Sequence, residues 1–325
     1  MAARHRSRRV CVLGGTGFVG RSLIGLLIRG GYQVDVPTRS RDRTRSLWVF
    51  PGVNVIQMDV HDETALSQLL RGCEAVINLV GILNETGHDD GAGFKRAHSQ
   101  LAEKVVRACR SSGVARLLQM SALKANADLG PSHYLRTKGQ AENAIKSLSG
   151  TDIKYTIFRP SVIFGEEDSF TNRFASLLRV LPVLPLPCAE SRFAPVFVED
   201  VARAFVTALG DSNTYGQTYE LCGPDIYSLR EIVSLVRWQL GMKRVVVPLP
   251  SALGHLQAWV ADYLLPGKPF SLDNFRSLGI ASVCGENGLA LLGIKPHSLA
   301  TILPTYLGGA SPQGRLARLR QSARR

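Results

Sequence analysis

The sequence predicts an α/β fold, in which a doubly wound parallel sheet is joined by a smaller, mostly helical C-terminal lobe. Short apolar runs alternate with helix-like segments through the first half of the chain. This alternation is typical of repeated β-α-β units and therefore of a parallel sheet covered by helices. After Pro160 the alternation fades and prolines cluster, which indicates a separate lobe rather than more sheet.

The strands of the predicted sheet are short apolar runs at residues 10–13, 33–38, 53–58, 75–81, 116–121 and 154–159. Helices are predicted between them, at residues 21–28, 63–70 and 94–111, where apolar residues recur at helical spacing. Residues 194–198 are predicted to form a strand that returns to the sheet and leads into another helix.

These patterns divide the 325-residue chain into regions of different character. A hydrophobic content of 45% is enough for a large core. We expect a basic N-terminal arm at 1–9, a nucleotide-binding domain at 10–165 to which 190–225 returns, a lobe for substrate or partner at 166–189 and 226–310, and a basic C-terminal tail at 311–325.

A glycine-rich turn follows the first predicted strand, with glycines at positions 14, 15, 17 and 20. Missing side chains let the backbone approach a pyrophosphate, and the free N–H groups of the next helix meet its negative charge. The spacing fits two registers, one counted from Gly14 and one from Gly15. The turn predicts a Rossmann-type dinucleotide site with contacts from Gly14, Thr16, Gly17, Phe18 and Val19.

The tip of the second strand indicates which dinucleotide is preferred. Sites selective for NAD carry an acidic side chain there, which binds the ribose 2′-hydroxyl. This chain instead has Arg39 and Ser40 at the tip, and Asp35 lies further back inside the strand. Because an arginine can form a charge-assisted fork with a 2′-phosphate, we expect NADP(H) to be preferred over NAD(H).

A possible catalytic set lies around the fifth strand. Tyr134 and Lys138 are four residues apart, hence on one face of a helix, and Ser121 ends the strand. In a carbonyl reductase the tyrosine is the general acid or base, and the lysine and the oxidised nicotinamide lower its pKa. The serine orients the carbonyl. The set predicts catalytic roles for Ser121, Tyr134 and Lys138.

These motifs resemble the short-chain dehydrogenase/reductase superfamily, in its extended or atypical branch. More specifically, the segments 76–81, 134–138 and 159–174 resemble the NADPH-binding accessory subunits of respiratory complex I, the alpha subcomplex subunit 9 family, and their bacterial relatives. The resemblance runs from about Val10 to Leu307. It implies tightly held NADPH and a link to respiratory or quinone metabolism, with either reduction of a carbonyl or quinone-type substrate or a purely structural cofactor.

Position and resemblance together assign further contacts at the carboxyl ends of the strands. We expect adenine beside Asp59 and Val60, phosphates and ribose beside Leu79, Val80 and Gly81, and nicotinamide beside Pro160 and Ser161. Asn78, just before Leu79, either joins these contacts or belongs to the interior of the strand. Residues 166–168, Glu-Glu-Asp, are either a solvated acidic loop or part of a substrate site, and His133 is expected to be exposed.

A nucleotide-sugar epimerase or dehydratase is the alternative function. Dehydratases of this superfamily usually carry acidic residues directly after the serine, whereas Ala122 and Leu123 follow Ser121 here. The second half of the chain also offers few donors for a sugar diphosphate. An NADP(H)-binding protein of the complex I accessory-subunit family therefore remains the leading prediction.

The net charge of +13 is concentrated near the chain ends. Arginines cluster before the first strand, in the run 39–45 and in the final residues, so the remaining chain is nearly neutral. Such tails are either solvated or attracted to an anionic membrane or a respiratory complex. Binding of nucleic acid is not expected.

The location predicted from the sequence is the cytoplasm of a bacterium, with possible peripheral attachment to the plasma membrane. No apolar stretch is long enough to cross a bilayer without interruption. The six cysteines are scattered without a C-x-x-C pair, which favours a reducing compartment with free thiols such as Cys11. No metal site is expected.

Overall fold

The computed structural model describes residues 8–40, 44, 47–85, 91–250, 252–255, 257, 271–308 and 319. The predicted tail at 311–325, apart from Leu319, lies outside the described residues. So does the predicted N-terminal arm, apart from Arg8 and Arg9, and so do Arg41, Arg43 and Arg45 of the second arginine cluster.

The central sheet confirms the predicted architecture. Its strands are β1 (Arg9–Leu13), β2 (Gln33–Thr38), β3 (Val53–Gln57), β4 (Ala75–Asn78), β5 (Arg116–Met120) and β6 (Lys154–Pro160). These strands run parallel in the order β6-β5-β4-β1-β2-β3. Strands β2 and β3 lie on one side of β1, and β4, β5 and β6 lie on its other side. The strand order therefore reverses between β1 and β4. In such sheets, ligands bind at this switch point, beyond the carboxyl ends of the strands.

Helices connect the strands, as the periodicity predicts. They are α1 (Phe18–Arg29), α2 (Glu63–Leu70), α3 (Ala92–Lys95), α4 (Leu101–Ser112) and α5 (His133–Ser149). Apolar side chains of α2, α4 and α5 pack with Cys11, Leu13 and Val76 of the sheet into one core. On α7 (Val198–Gly210), Phe205 packs against Phe158 of β6, with ring centroids 4.4 Å apart.

One strand prediction was wrong. Residues 194–198 do not return to the central sheet, because β10 (Val196–Phe197) pairs with β7 (Ile163–Phe164) in a separate two-stranded sheet. The strand that extends the central sheet beside β6 is β11 (Gln217–Leu221). Leu221 alone is fully buried in that strand, so its weak hydrophobic pattern resembles a loop.

The chain forms two compact units, residues 1–159 with 201–219 and residues 160–200 with 220–325. The second unit contains α6 (Thr171–Val180), α8 (Leu229–Gln239), α9 (Leu272–Leu278), α10 (Gly288–Leu291) and α11 (Leu299–Leu307). It also contains β8 (Val183–Leu186), paired in parallel with β13 (Val245–Pro248), and β9 (Arg192–Phe193), paired with β12 (Tyr227–Ser228).

The cysteine prediction needs a correction. Cys11, Cys73, Cys109 and Cys188 are free thiols, but Cys222 and Cys284 form a disulfide. The two are 62 residues apart in the sequence, so no local motif could reveal the pair. Since disulfides are rare in reducing compartments, cysteine usage no longer supports a reducing location.

Candidate functional site

The glycine turn directs the N-terminus of α1 towards the switch point. Gly14 adopts a φ of 77°, which side chains disfavour, and its carbonyl accepts the N–H of Gly17 at 3.0 Å. Helix α1 begins at Phe18, three residues before the predicted start at Arg21, because glycines obscure the helical pattern. The N–H groups of the first turn have no partner within the helix and are suited to an anion.

Two of the glycines differ in what surrounds them. A Cβ on Gly20 would lie 2.5 Å from the carbonyl oxygen of Gly15, so this position must be glycine for the turn to close. A Cβ on Gly17 would approach only the oxygen of Gly14, at 3.2 Å, and Gly17 is exposed. The space that a side chain would fill at Gly17 therefore fits the close approach of a pyrophosphate.

The tip of β2 has the character that the sequence predicts. Asp35 is buried inside the strand, where its carboxylate pairs with the guanidinium of Arg9 at 3.2 Å. Thr38 and Ser40 form mutual hydrogen bonds that hold the tip, and Arg39 is exposed. Arg39 is thus available for a ligand, whereas Asp35 is not.

The end of β3 lies close to Arg39. Asp59 is exposed and accepts the N–H of His61 at 3.0 Å. Burial lowers the pKa of His61; the negative charge of Asp59 opposes this shift, and the positive charges of Arg96, Lys104 and Arg39 add to it. Arg39 therefore contributes to a cationic region beside the predicted adenine contacts.

The end of β4 is held by its own amide side chain. Asn78 is buried and donates to the Gln119 side chain at 2.9 Å, while its oxygen accepts the N–H of Val80 at 3.1 Å. Asn78 thus belongs to the strand interior, the alternative considered for it. This network fixes the backbone of the segment from Leu79 to Gly81, which is predicted to flank the phosphates and ribose.

Lys138 connects the ends of two strands. Its buried ammonium group donates to the carbonyls of Met120, at 3.2 Å, and Val80, at 3.4 Å. A Cβ on Gly81 would lie 3.1 Å from this nitrogen, so glycine leaves room for it. Burial lowers the pKa of Lys138 to about 8, and the carboxylate of Glu142 opposes that change.

Tyr134 lies one helical turn before Lys138, and its ring meets His98 and Phe94 edge-on at 5.5 and 6.2 Å between centroids. The sequence predicts that Lys138 lowers the pKa of this phenol. Instead, burial raises the pKa of Tyr134 to about 12, because the desolvation cost of the phenolate dominates within the protein.

Ser121 does not stand free beside Tyr134. Its buried hydroxyl donates to Oε1 of Glu142 at 2.6 Å, and Glu142 also accepts two bonds from Arg159, at 2.8 and 2.5 Å. Eight residues separate Tyr134 from Glu142 along α5, which is about 12 Å of helix. The structure thus places the hydroxyl proton of Ser121 in a buried ionic network. The catalytic role of Ser121 stays a prediction.

The ionic network around Glu142 is expected to matter for stability. Arg159→Met leaves the buried carboxylate of Glu142 with Ser121 and the more distant Lys146, 3.7 Å away. Removing one partner of a buried pair typically costs about 3 kcal/mol or more. Urea unfolding should show this loss for Arg159→Met. Arg107→Met, which breaks an exposed pair with Glu63, should change the free energy of unfolding by under about 1 kcal/mol. Equal losses in the two variants would contradict this account.

His98 is a site residue that the sequence analysis missed. The predicted helix 94–111 is interrupted by a π-helical turn at Arg96–Gln100, a feature frequent near functional sites. Nε2 of His98 accepts the N–H of Ile82 at 3.2 Å, so its Nδ1 carries the proton and donates to Thr137 at 2.9 Å. The imidazole joins the loop after β4 to α5.

The buried imidazole predicts a loss of stability in acid. Burial, followed by the charge of Lys138, lowers the pKa of His98 to about 2. Below pH 6.5 the unfolded chain binds a proton here that the native state does not, so stability falls as pH falls, by about 1.4 kcal/mol per unit. Urea unfolding between pH 7 and 5 should show a shallower decline for His98→Gln than for the wild type or the control His133→Gln. An identical dependence of unfolding free energy on pH in the wild type and His98→Gln would contradict this role of His98.

The remaining predicted residues lie in the second unit. The hydroxyl of Ser161 donates to the carbonyl of Ser282 at 2.7 Å, and the nicotinamide contacts of Pro160 and Ser161 stay a prediction. Asp168 is buried and accepts the N–H of Gly165, at 3.0 Å, and the Thr171 hydroxyl, at 2.6 Å. The description as a solvated acidic loop is therefore wrong for Asp168, which also accepts the N–H of Thr171, the first residue of α6.

The described residues contain no group of three or more histidine, cysteine or acidic side chains that could hold a metal ion. Within the same residues, no helix has the length and apolarity to cross a membrane. His133 is half-buried rather than exposed.

Residues 14–179 match the family model of NAD(P)H-binding proteins, which includes the glycine turn, Tyr134 and Lys138. The chain belongs to this family. Its relatives include NADH dehydrogenase (ubiquinone) 1 alpha subcomplex subunit 9 of Arabidopsis thaliana mitochondria, which is 32% identical over 89% of this chain and 74% of that protein. The resemblance to complex I accessory subunits is thereby confirmed.

Two bacterial relatives are named as reductases. A ceramide reductase of Caulobacter vibrioides is 32% identical over 61% of this chain and 59% of that protein. A 4-hydroxy-2-methyl-3-oxo-4-farnesyl-3,4-dihydroquinoline-1-oxide ketoreductase of Stigmatella aurantiaca is 24% identical over 79% and 80%. Among solved structures, the dTDP-glucose 4,6-dehydratase DesIV of Streptomyces venezuelae has a TM-score of 0.71 at 19% identity, over 95% of this chain and 98% of that chain. This likeness shows a shared fold.

Proposed function

We propose that the protein is an NADP(H)-dependent reductase of an apolar ketone or quinone-type carbonyl. The observation that carries the proposal is the position of Lys138, whose ammonium lies at the ends of β4 and β5 with Tyr134 one turn before it. In the doubly wound fold these strand ends face the bound dinucleotide. A hydroxyl and a cation there suit proton transfer to a carbonyl oxygen.

The nicotinamide ring, when bound, supplies a hydride to the carbonyl carbon. The protein's own part is to deliver a proton from Tyr134 to the carbonyl oxygen, and its high pKa keeps that proton in place until the oxygen becomes basic. Lys138, one helical turn after Tyr134, would supply positive charge to the bound dinucleotide from the ends of β4 and β5. The hydroxyl of Ser121 donates its hydrogen bond to Glu142, so its oxygen can accept a hydrogen bond within the site but the hydroxyl cannot also donate to the substrate.

An apolar substrate is supported by the relatives. One is named for ceramide and the other for a farnesyl-bearing quinoline oxide. A nucleotide-sugar substrate has support from the shared fold alone. The assay is oxidation of NADPH by purified protein with a long-chain 3-keto lipid, a short-chain quinone and a nucleotide sugar. Turnover of the lipid or quinone supports the proposal, turnover of the sugar favours the alternative, and no turnover with bound NADPH favours a structural cofactor.

The preference for NADP(H) is proposed from Arg39. A bidentate arginine–phosphate contact contributes about 1.5–3 kcal/mol, or roughly ten- to a hundredfold in affinity. Arg39→Ala should therefore narrow the ratio of NADH to NADPH dissociation constants by about that factor. Arg71→Ala, an exposed arginine after α2, is the control. A ratio unchanged in Arg39→Ala would exclude the proposed contact.

A location on the cytoplasmic side, peripheral to the membrane, is proposed with it. The complex I relatives work in a respiratory enzyme, and the named substrates of the bacterial relatives are lipid-like. The proposal includes attachment through the basic tails, either to an anionic membrane or to a respiratory complex.

A further inference from the structure

An apolar surface is exposed on the second unit, where the ends of α6 and α8 meet β8 and β13. Its exposed side chains are Leu177, Val180, Val183, Trp238, Val245 and Val247. Val183 and Val245 are partners in the parallel pair of strands, and Leu184 and Val246 beside them pack into the core on the opposite face. We refer to these six exposed residues as the α6–β13 surface.

The two strands are apolar on both faces, which is unusual for a pair that is uncovered on one side. Parallel strands normally have both faces buried, and contiguous exposed apolar residues commonly mark an interaction site. Val180 is 78% exposed and Trp238 is 60% exposed, so the surface projects large apolar groups into solvent.

The segments that carry this surface contain cations and no acidic residues. Residues 171–187 and 235–250 contain Arg173, Arg179, Arg237, Lys243 and Arg244 but no aspartate or glutamate. Arg244 donates to the carbonyl of Leu178 at 3.1 Å, and Arg237 donates to that of Arg244 at 2.8 Å. The side chains of Arg237 and Arg244 are thus held beside the end of α6 and the start of β13, next to the apolar residues.

We propose that the α6–β13 surface binds an anionic lipid membrane. Aliphatic residues, an exposed tryptophan and flanking Lys and Arg without acids are the composition of segments that lie in a membrane interface. Protein interfaces, by contrast, are depleted in lysine and pair charges of both signs. Membrane attachment would bring the protein to apolar substrates, although the inference does not depend on the proposed reaction.

The test is flotation of the full-length protein with two kinds of vesicle, phosphatidylcholine alone and phosphatidylcholine with phosphatidylglycerol. The protein should float with the anionic vesicles, and high salt should release it because exposed charges are screened within about 10 Å at 0.1 M. Val180→Asp and Lys243→Glu should each lower the partition coefficient about tenfold. The matched controls are Leu129→Asp, 84% exposed on the first unit, and Lys295→Glu, also exposed.

Three outcomes would overturn the proposal. Flotation of Val180→Asp and Lys243→Glu equal to wild type would assign the attraction to other regions of the chain, such as the arginine tail. Failure of the wild type to float with anionic vesicles would exclude a membrane. Dimerisation in solution that Val180→Asp abolishes, without flotation, would make a second copy the occupant. Thermal melts verify folding, and nucleotide titration of the same variants separates this result from failure of the proposed function.

Discussion

Gly17→Val is expected to abolish binding of the nicotinamide dinucleotide while the protein stays folded. Gly17 has a φ of −78° and a ψ of 175°, a conformation open to any residue, so valine imposes no backbone strain. Its side chain would instead fill the exposed space beside the turn, where the pyrophosphate must approach the backbone. Calorimetric titration with NADPH should give no saturable heat for this variant.

A glycine elsewhere in the same region provides the control for Gly17→Val. A Cβ on Gly25 of α1 would meet only the ring of Phe50, at 3.9 Å, which is ordinary contact. Gly25→Ala should keep full NADPH affinity and stabilise the helix by up to about 1 kcal/mol. Retained binding in Gly17→Val would mean that the phosphates lie elsewhere.

Tyr134→Phe is expected to lower the rate of carbonyl reduction by about 10²–10⁴-fold, because general acid catalysis typically contributes that much. The affinity for NADPH should stay nearly unchanged, since phenylalanine keeps the ring that packs against Phe94 and His98. The measurement is kcat for the carbonyl that the wild type reduces, together with an NADPH titration of both proteins.

Two further variants make the result for Tyr134 interpretable. Tyr155→Phe removes a phenol of β6 that packs against the core and should leave kcat unchanged. Lys138→Ala should weaken both NADPH binding and turnover, because it removes the cation that bridges β4 and β5. Wild-type turnover in Tyr134→Phe would exclude Tyr134 as the proton donor.

The parts of the site that were predictable are those encoded by neighbouring residues. The glycine turn, the interior position of Asp35 and the shared helical face of Tyr134 and Lys138 all follow from spacing along the chain. Each depends on a local geometry, either a turn or a helical period, that a single sequence displays.

The parts that were not predictable depend on contacts between distant residues. Ser121 sits at the predicted end of β5, but its hydroxyl is bound by Glu142 and, through it, by Arg159. His98 bonds to Ile82, 16 residues before it, and to Thr137, 39 residues after it. The spacing of Glu142, four residues after Lys138, was a usable signal, since it continues the face that carries Tyr134.

Two features of the fold were not predicted, for related reasons. They are the strand at Gln217–Leu221 and the disulfide between Cys222 and Cys284. The strand is mostly half-exposed, so it has little of the apolar pattern by which strands are recognised. The disulfide joins two segments of the second unit that are 62 residues apart in the sequence. Tertiary packing decides both features.

The central claim is that a nicotinamide dinucleotide binds at the glycine turn, and calorimetric titration of nucleotide-free protein tests it most directly. Wild type and the control Gly25→Ala should bind one NADPH per chain saturably and more tightly than NADH, with Gly17→Val showing no binding. Absence of saturable binding of either nucleotide to the folded wild-type protein would contradict the claim.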